Sequence, residues 1–301
     1  MATASAASSA PLERLRTYAS FVRFEHTLFS LPLILAGIFS AAGPAMAWRR
    51  WIWIAAAAVG ARTAAMAINR LVDRHLDAMN PRTASRELPA GRMKVIEAWA
   101  LLGGSISVYL VACAVLGSWY VKISWIPLAA FTLYPYLKRF TPLCHFGVGA
   151  ALALAPLAGF AAAHPELVSP APALWLAAFA FLWVSGFDII YATLDESFDR
   201  AHRVHSMVEW LGRVPALRVS AVLHALAFIA LAAALGALQS LHACPGPPWA
   251  AWAALAVAGV LLFLEQRWAE NVNLAFFKVN VWVGFAVLAM VLGVRASCGG
   301  F

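Results

Sequence analysis

The chain has 301 residues, of which 63% are hydrophobic and only 12% charged, with a mean hydropathy of +0.77 and a net charge of +8. A soluble domain carries charge at about twice that frequency. The composition excludes an ordinary water-soluble protein, and apolar runs long enough to cross a hydrocarbon core of about 30 Å recur along the chain.

The N-terminal "MATASAASSAP" is a polar tail of small residues, placed over 1–18 ahead of a single transmembrane domain over 19–301. It has neither a basic start nor an apolar stretch, so it does not read as a cleavable signal peptide. Nine spans follow, near 24–45, 51–71, 95–117, 121–137, 144–163, 172–192, 215–239, 248–266 and 275–295. Their apolar runs are continuous rather than alternating, which makes them helices. The Ala-rich, Gly-containing fifth and seventh suit close helix packing in lipid.

Orientation follows from Lys and Arg. Arg14 and Arg16 precede the first span. Arg74, Arg82, Arg86, Arg92 and Lys94 follow the second, Lys138 and Arg139 the fourth, and Arg200, Arg203 and Arg213 the sixth. The opposite loops "AAHPELVSPAP" and "LHACPGPPWA" contain neither residue, and Arg49 and Arg50 are the exception. The N-terminus and these basic ends are expected in the cytoplasm, in an inner-membrane protein. The net charge is mainly this asymmetry and gives no case for nucleic acid. Cys244 and Cys298 both fall on the expected outer face, where an oxidising compartment would allow them to pair.

The second span ends in "INRLVDRHLDAMNPRT". Asn69, Asp73 and Asp77 lie at i, i+4 and i+8, one stripe of a helix. The sixth ends in "GFDIIYATLDESFD", with Asp188, Asp195 and Asp199 at i, i+7 and i+11, again expected on one helix face. Asp77 to Asp199 and Asp73 to Asp195 are both offset by 122 positions, a coarse sign of a duplicated helix-pair unit. Either cluster alone reads as well as solvated helix ends paired with neighbouring arginines. Two matched clusters on one membrane face read as a cation site, because facing carboxylates repel unless a cation lies between them. Hard oxygen ligands favour Mg²⁺, which binds one or two carboxylates together with phosphate oxygens.

Arg70, Arg74, Arg82 and Arg86, with Lys138 and Arg139 from the fourth span, supply phosphate-binding groups. Topology accounts for some of them, but Arg62 sits inside the second span, where a buried arginine is a functional candidate. Pro89 and Gly91 in "RELPAGR" mark a turn, and with "NPRT" suggest a shaped loop over the site.

These residues resemble the signatures of the UbiA superfamily of intramembrane prenyltransferases. "NRLVDRHLDAMNPRTASRELPAG" is similar to its first motif, "GFDIIYATLDESFD" to its second, and "YPYLKRFT" to the Tyr- and Lys-containing element between them. The resemblance implies an all-α bundle of nine transmembrane helices with a central cavity open to the cytoplasmic side. It implies Mg²⁺-dependent transfer of a polyprenyl group from its diphosphate to a hydroxylated aromatic acid in quinone biosynthesis, most familiarly 4-hydroxybenzoate. "RFEHTLFSLP", "KRFTPLCH" and "FFKVNVWVG" resemble a branch linked to the futalosine route to menaquinone, so a 1,4-dihydroxy-6-naphthoate-type acceptor stays open.

The expected metal ligands are Asn69, Asp73, Asp77, Asp188, Asp195 and Asp199, whose five aspartates form the catalytic set. The expected substrate contacts are Arg62, Asn69, Arg82, Arg86, Tyr134, Lys138, Arg139 and Tyr191. Arg62 and Arg139 are candidates for the acceptor carboxylate. His26 and His145 read as helix–helix hydrogen-bond partners. Where the family has a Lys-containing stretch after the second motif, "AHRVHS" places Arg203, His205 and Ser206, so a contact by that Lys loses its basis. A cation-coupled transporter also uses intramembrane carboxylates, though nearer the midplane of broken helices. A CDP-alcohol phosphotransferase lacks its required run here, since Asp73 and Asp77 enclose only Arg74, His75 and Leu76.

Overall fold

A computed structural model describes residues 13–23, 27–40, 46–269 and 279–298, and no strand occurs among them. Residues 1–12 of the polar tail, His26, and parts of "RFEHTLFSLP" and "FFKVNVWVG" lie outside the described residues. Helix α1 covers 13–21, so part of the stretch expected as tail is helical, and its Phe21 is fully buried.

The remaining helices are α2 (Thr27–Phe39), α3 (Trp48–Met79), α4 (Val95–Leu116), α5 (Ser118–Ile123), α6 (Trp125–Leu137), α7 (Cys144–Ala163), α8 (Ala171–Ala192), α9 (Glu196–His202), α10 (Met207–Leu211), α11 (Arg213–His242), α12 (Trp249–Arg267) and α13 (Asn280–Ser297). Among the described residues seven are long and apolar enough to cross a membrane: α3, α4, α7, α8, α11, α12 and α13. The expected span over 121–137 is not one helix. Pro127 has no N–H to donate to the Ile123 carbonyl, and the helix breaks at Ser124 into α5 and α6.

Helix α3 has 32 residues, so it is about 48 Å long and overruns the hydrocarbon core. That excess length carries Asp73 and Asp77 to the rim of the bundle. Helix α8 is the central strut, with Leu176, Phe179, Trp183 and Ile189 fully buried against α7 and α11.

Lipid supplies no hydrophobic drive between helices, so tight approach through small residues has to hold them. Gly37 of α2 lies on the Pro156 carbonyl of α7, and Gly159 of α7 on the Ile34 carbonyl of α2. A Cβ at either would collide with backbone. The small residues of α7 thus do what its composition suggested. In α11 the alanines do the same, with Ala227, Ala230 and Ala234 buried in the core against α8; Gly236 faces open space, and Gly186 of α8 admits His224.

At the end of the bundle opposite the aspartates, Cys244 and Cys298 form a disulfide with their Cα atoms 4.6 Å apart, tying the α11–α12 connection to the end of α13. Arg50, an exception in the charge pattern, donates from Nε to the Ala162 carbonyl at 3.0 Å and from Nη2 to the Tyr120 hydroxyl at 2.6 Å. It caps the C-terminal end of α7, where carbonyls lack helical partners. Arg49 lies over the Trp48 ring.

Candidate active site

Asn69, Asp73 and Asp77 occupy one stripe of the unbroken α3, as their spacing requires. The second cluster differs from expectation, for it is not on one helix. Helix α8 ends at Ala192 and exits through a tightened turn: Thr193, Leu194 and Asp195 donate to the carbonyls of Ile190, Tyr191 and Ala192, each three residues back. Such 3₁₀-type bonds end α-helices. Asp195 then becomes the N-cap of α9, which carries Asp199, while Asp188 stays on α8.

The break brings the clusters together. Asn69, Asp73, Asp77, Arg82, Arg86, Tyr134, Lys138, Asp188, Tyr191, Asp195 and Asp199 line one polar cavity of about 240 Å³. Each carboxylate meets a cation or a donor. Lys138 Nζ donates to Asp73 Oδ2 at 2.5 Å, and Asn69 Nδ2 to the same oxygen at 3.3 Å. Arg86 Nη1 donates to Asp77 Oδ1 at 2.6 Å, and Arg70 stands 3.9 Å from its other oxygen. Arg82 forks onto Asp195, with Nε 2.8 Å from Oδ1 and Nη2 on Oδ2, and its Nη1 donates to the Tyr191 hydroxyl at 2.7 Å.

The loop after α3 is a built structure. Asn80 Oδ1 accepts the Arg82 N–H at 2.9 Å, a turn closed by the side chain, and its Nδ2 donates to Asp195 at 2.8 Å. Thr83 Oγ1 donates to the Asp77 carbonyl at 3.0 Å, and buried Glu87 accepts from Ser20 of α1 at 2.6 Å. Gly91, at φ +70°, makes the left-handed turn toward α4. Sequence reasoning missed Asn80, although its place just before Pro81 in "NPRT" was a turn signal.

Two carboxylates in this rim are shifted in opposite directions. Burial would raise Asp195, but hydrogen bonds and charge from Arg82, with a bond from Asn80, hold it below the usual carboxylate range. Asp199 is pushed up to about 6, first by burial and further by the charge of Asp195, against a hydrogen bond from Ser206.

A second, apolar cavity of about 320 Å³ adjoins the first. Alanines 57, 58, 61 and 65 of α3 face alanines 151, 155, 158 and 162 of α7 across it. Tyr134, Val148, Asp188 and Tyr191 line both cavities and form the neck between them. Arg62 opens into the apolar one, and its buried Nε has no hydrogen-bond partner among the described residues. Arg139 is placed elsewhere. It lines neither cavity and donates to the Val72 and Pro135 carbonyls at 2.9 and 3.1 Å, lying 3.6 Å from Asp73. Its length lets it tie α6 to α3 from behind the site.

Among the described residues no three acidic, His or Cys side chains converge as a ready ligand cluster. Magnesium does not need one, since phosphate oxygens and water complete its octahedron. Asp73 Oδ1 is buried with no hydrogen bond, Arg139 Nη1 lying 3.6 Å away, and is an oxygen of the right kind. The donor set therefore fits Mg²⁺ held jointly with a phosphate.

The sequence pattern of the UbiA prenyltransferase family matches residues 30–284. The 4-hydroxybenzoate octaprenyltransferase of Cupriavidus necator is 31% identical over 228 residues, which is 73% of this chain and 77% of that protein. Its counterpart in Acidovorax ebreus is 30% identical over 290 residues, 94% of this chain and 96% of that one. Among solved structures, an apo UbiA homolog from Aeropyrum pernix K1 has a TM-score of 0.80 at 33% identity, covering 89% of this chain and 97% of that one. A UbiA homolog from Archaeoglobus fulgidus bound to GPP and Mg²⁺ has a TM-score of 0.67 at 16% identity, covering 94% and 99%, a likeness of fold.

Proposed function

The chain belongs to the UbiA prenyltransferase family, and from that premise we propose that it transfers a polyprenyl group from its diphosphate to a hydroxylated aromatic acid of the 4-hydroxybenzoate type, with Mg²⁺, in quinone biosynthesis. It is an integral, multi-pass membrane prenyltransferase, which sets the transporter reading aside. One observation carries the finer proposal. A polar cavity rich in carboxylates and cations opens through a shared neck into an apolar one. That joint shape suits a molecule with a polyanionic head and a long hydrocarbon tail.

Asp73, Asp77, Asp195 and Asp199, with Asn69, would hold Mg²⁺, which when bound supplies positive charge to the diphosphate leaving group. Lys138, Arg82 and Arg86 now neutralise the aspartates and are placed to turn their donors to phosphate oxygens. As the allylic C–O bond breaks, its electron pair leaves with the diphosphate. The apolar cavity keeps water from the carbocation, and the rings of Tyr134 and Tyr191 face the neck where it forms. Arg62 offers its free Nε to the acceptor carboxylate. The ring carbon forms the new C–C bond, and its proton passes to Asp188, the one carboxylate among the described residues that lines both cavities. For this reason we assign Asp188 to the acceptor side and not to the metal.

The positive ends and the polar cavity face the cytoplasm, with the disulfide on the opposite side of the inner membrane, and residues 19–301 act as one domain. The test offers membranes containing the protein a polyprenyl diphosphate and Mg²⁺ with 4-hydroxybenzoate or 1,4-dihydroxy-6-naphthoate, and identifies products by mass. Prenylated 4-hydroxybenzoate is expected. Product from the naphthoate alone moves the assignment to that acceptor, and no product from either refutes aromatic transfer.

A further inference from the structure

His145 stands in the first turn of α7, 3% exposed. Its Nε2 accepts the backbone N–H of Met207 at 3.1 Å. A ring nitrogen that accepts carries no hydrogen in the neutral imidazole, so the hydrogen is on Nδ1. Nδ1 therefore donates to Asp188 Oδ2, 2.7 Å away. One oxygen of Asp188 is thus taken, and the carboxylate plane is set by a buried ring that can turn neither way.

The other side of the imidazole leads back to the diphosphate end. Met207 is the first residue of α10, and Ser206 caps that helix, its Oγ accepting from the Glu209 N–H at 3.1 Å. Ser206 and Asp199 line the polar cavity together. The imidazole thus joins the start of α10, at the polar cavity, to the aspartate at the neck.

We propose that His145 is a positioning residue for the transfer reaction: it fixes the direction in which Asp188 faces the acceptor and ties that carboxylate to the start of α10. The proposal rests on the aromatic-transfer reading above. It assigns to His145 more than the helix–helix hydrogen bonding its sequence context suggested, because both ring nitrogens are committed and one of them holds a residue of the neck.

The test compares His145→Ala with His145→Gln. A glutamine amide can donate to Asp188 with its N–H and accept from Met207 with its oxygen, reproducing orientation without an imidazole. Expected for His145→Ala is a fall in kcat of about 10- to 100-fold, the usual cost of losing an orienting partner. The KM for the polyprenyl diphosphate should stay within about twofold, since the loss falls on the step after that substrate binds. His145→Gln should recover most of kcat.

Met207→Pro is a second, independent probe. It removes the N–H that sets the tautomer at a first helical position, where proline is tolerated, after a Ser206 already extended at φ −139° and ψ 161°. Its kcat should fall in the same direction. Unchanged kcat in His145→Ala, or equal loss in the Ala and Gln variants, overturns the positioning role. Wild-type protein in the same assay separates the two readings: no transfer by it refutes the aromatic acceptor, whereas transfer with an indifferent His145 refutes this inference alone.

Discussion

The two aspartate clusters share one element of spacing, the pairs Asp73/Asp77 and Asp195/Asp199 each four apart, and have opposite constructions in space. The first rides on an unbroken helix, so the stripe predicted from i, i+4 and i+8 is also the stripe observed. The second straddles the end of α8 and the start of α9, and its carboxylates meet different partners: Asp188 meets His145, while Asp195 meets Arg82 and Asn80. The offset of 122 residues thus relates two pairs whose local backbones differ: Asp73 and Asp77 lie within one helix, whereas Asp195 caps the helix that carries Asp199. Each cluster is also completed from elsewhere: Asp73 takes Lys138 from α6, while Asp195 takes Arg82 and Asn80 from the loop that follows the first cluster. The rigid helix provides the platform, and the broken one provides the closure.

Asp73→Asn and Asp195→Asn break the comparison most severely, since in the proposed reaction each would remove a charge from the site that holds cation and diphosphate. Both should lower prenyl transfer by about 10³-fold while the protein remains folded in membranes. Product mass and diphosphate release, alongside size-exclusion behaviour in detergent, check this. A variant retaining half its rate would show that its cluster is only a helix cap.

Arg82→Lys comes next. A lysine keeps the charge but cannot fork onto Asp195 and reach Tyr191 together. The expected result is a loss in kcat/KM for the polyprenyl diphosphate of about 10-fold or more. Full activity in this variant would mean that the loop carrying Asn80 and Arg82 holds its place without the bidentate contact.

The opposite shifts of Asp195 and Asp199 sharpen the comparison within the second cluster. Asp199 keeps its proton up to about pH 6, so a divalent cation must expel that proton below this value. Cation affinity, read by titration calorimetry, should weaken as pH falls through 6, by up to about tenfold per unit. Without cation the sign reverses for this group. Its raised pKa means that the folded state gains stability from the proton as pH falls from about 6 toward the ordinary 3.8. Asp195, held low, contributes stability above its ordinary 3.8 and loses it as pH drops through its depressed value.

The smallest effect on activity belongs to the far end of the bundle. Cys244→Ser should leave transfer unchanged and lower stability by about 2–4 kcal/mol, as for removal of a disulfide that closes a long loop. Thermal unfolding and the mass of the alkylated protein check it. A loss of turnover here would mean that the end of α13 communicates with the cavity.

The membrane class, most of the long helices and the first cluster were legible because they depend on local pattern: a continuous apolar run has to be a helix in lipid, and residues four apart on a helix have to share a face. Arg62 was legible for the same reason, as a charge where the bilayer tolerates none without cause. The break at Ser124 beside Pro127 in the expected fourth span was missed, because the run is continuously apolar across it.

What only the tertiary structure decided depends on groups far apart in the chain. Asp195 became a cap rather than a stripe residue because Arg82 and Asn80, more than 110 positions away, hold it there. Arg139 turned to backbone carbonyls of α3 and α6, out of the cavity, though by charge alone it matched Lys138. His145 acquired two partners whose positions nothing in its neighbourhood records. A sequence states which side chains can bond, and periodicity states which share a face. Which donor reaches which acceptor is settled only when the helices pack, because hydrogen bonds act over about 3 Å and a single misplaced turn of helix is longer than that.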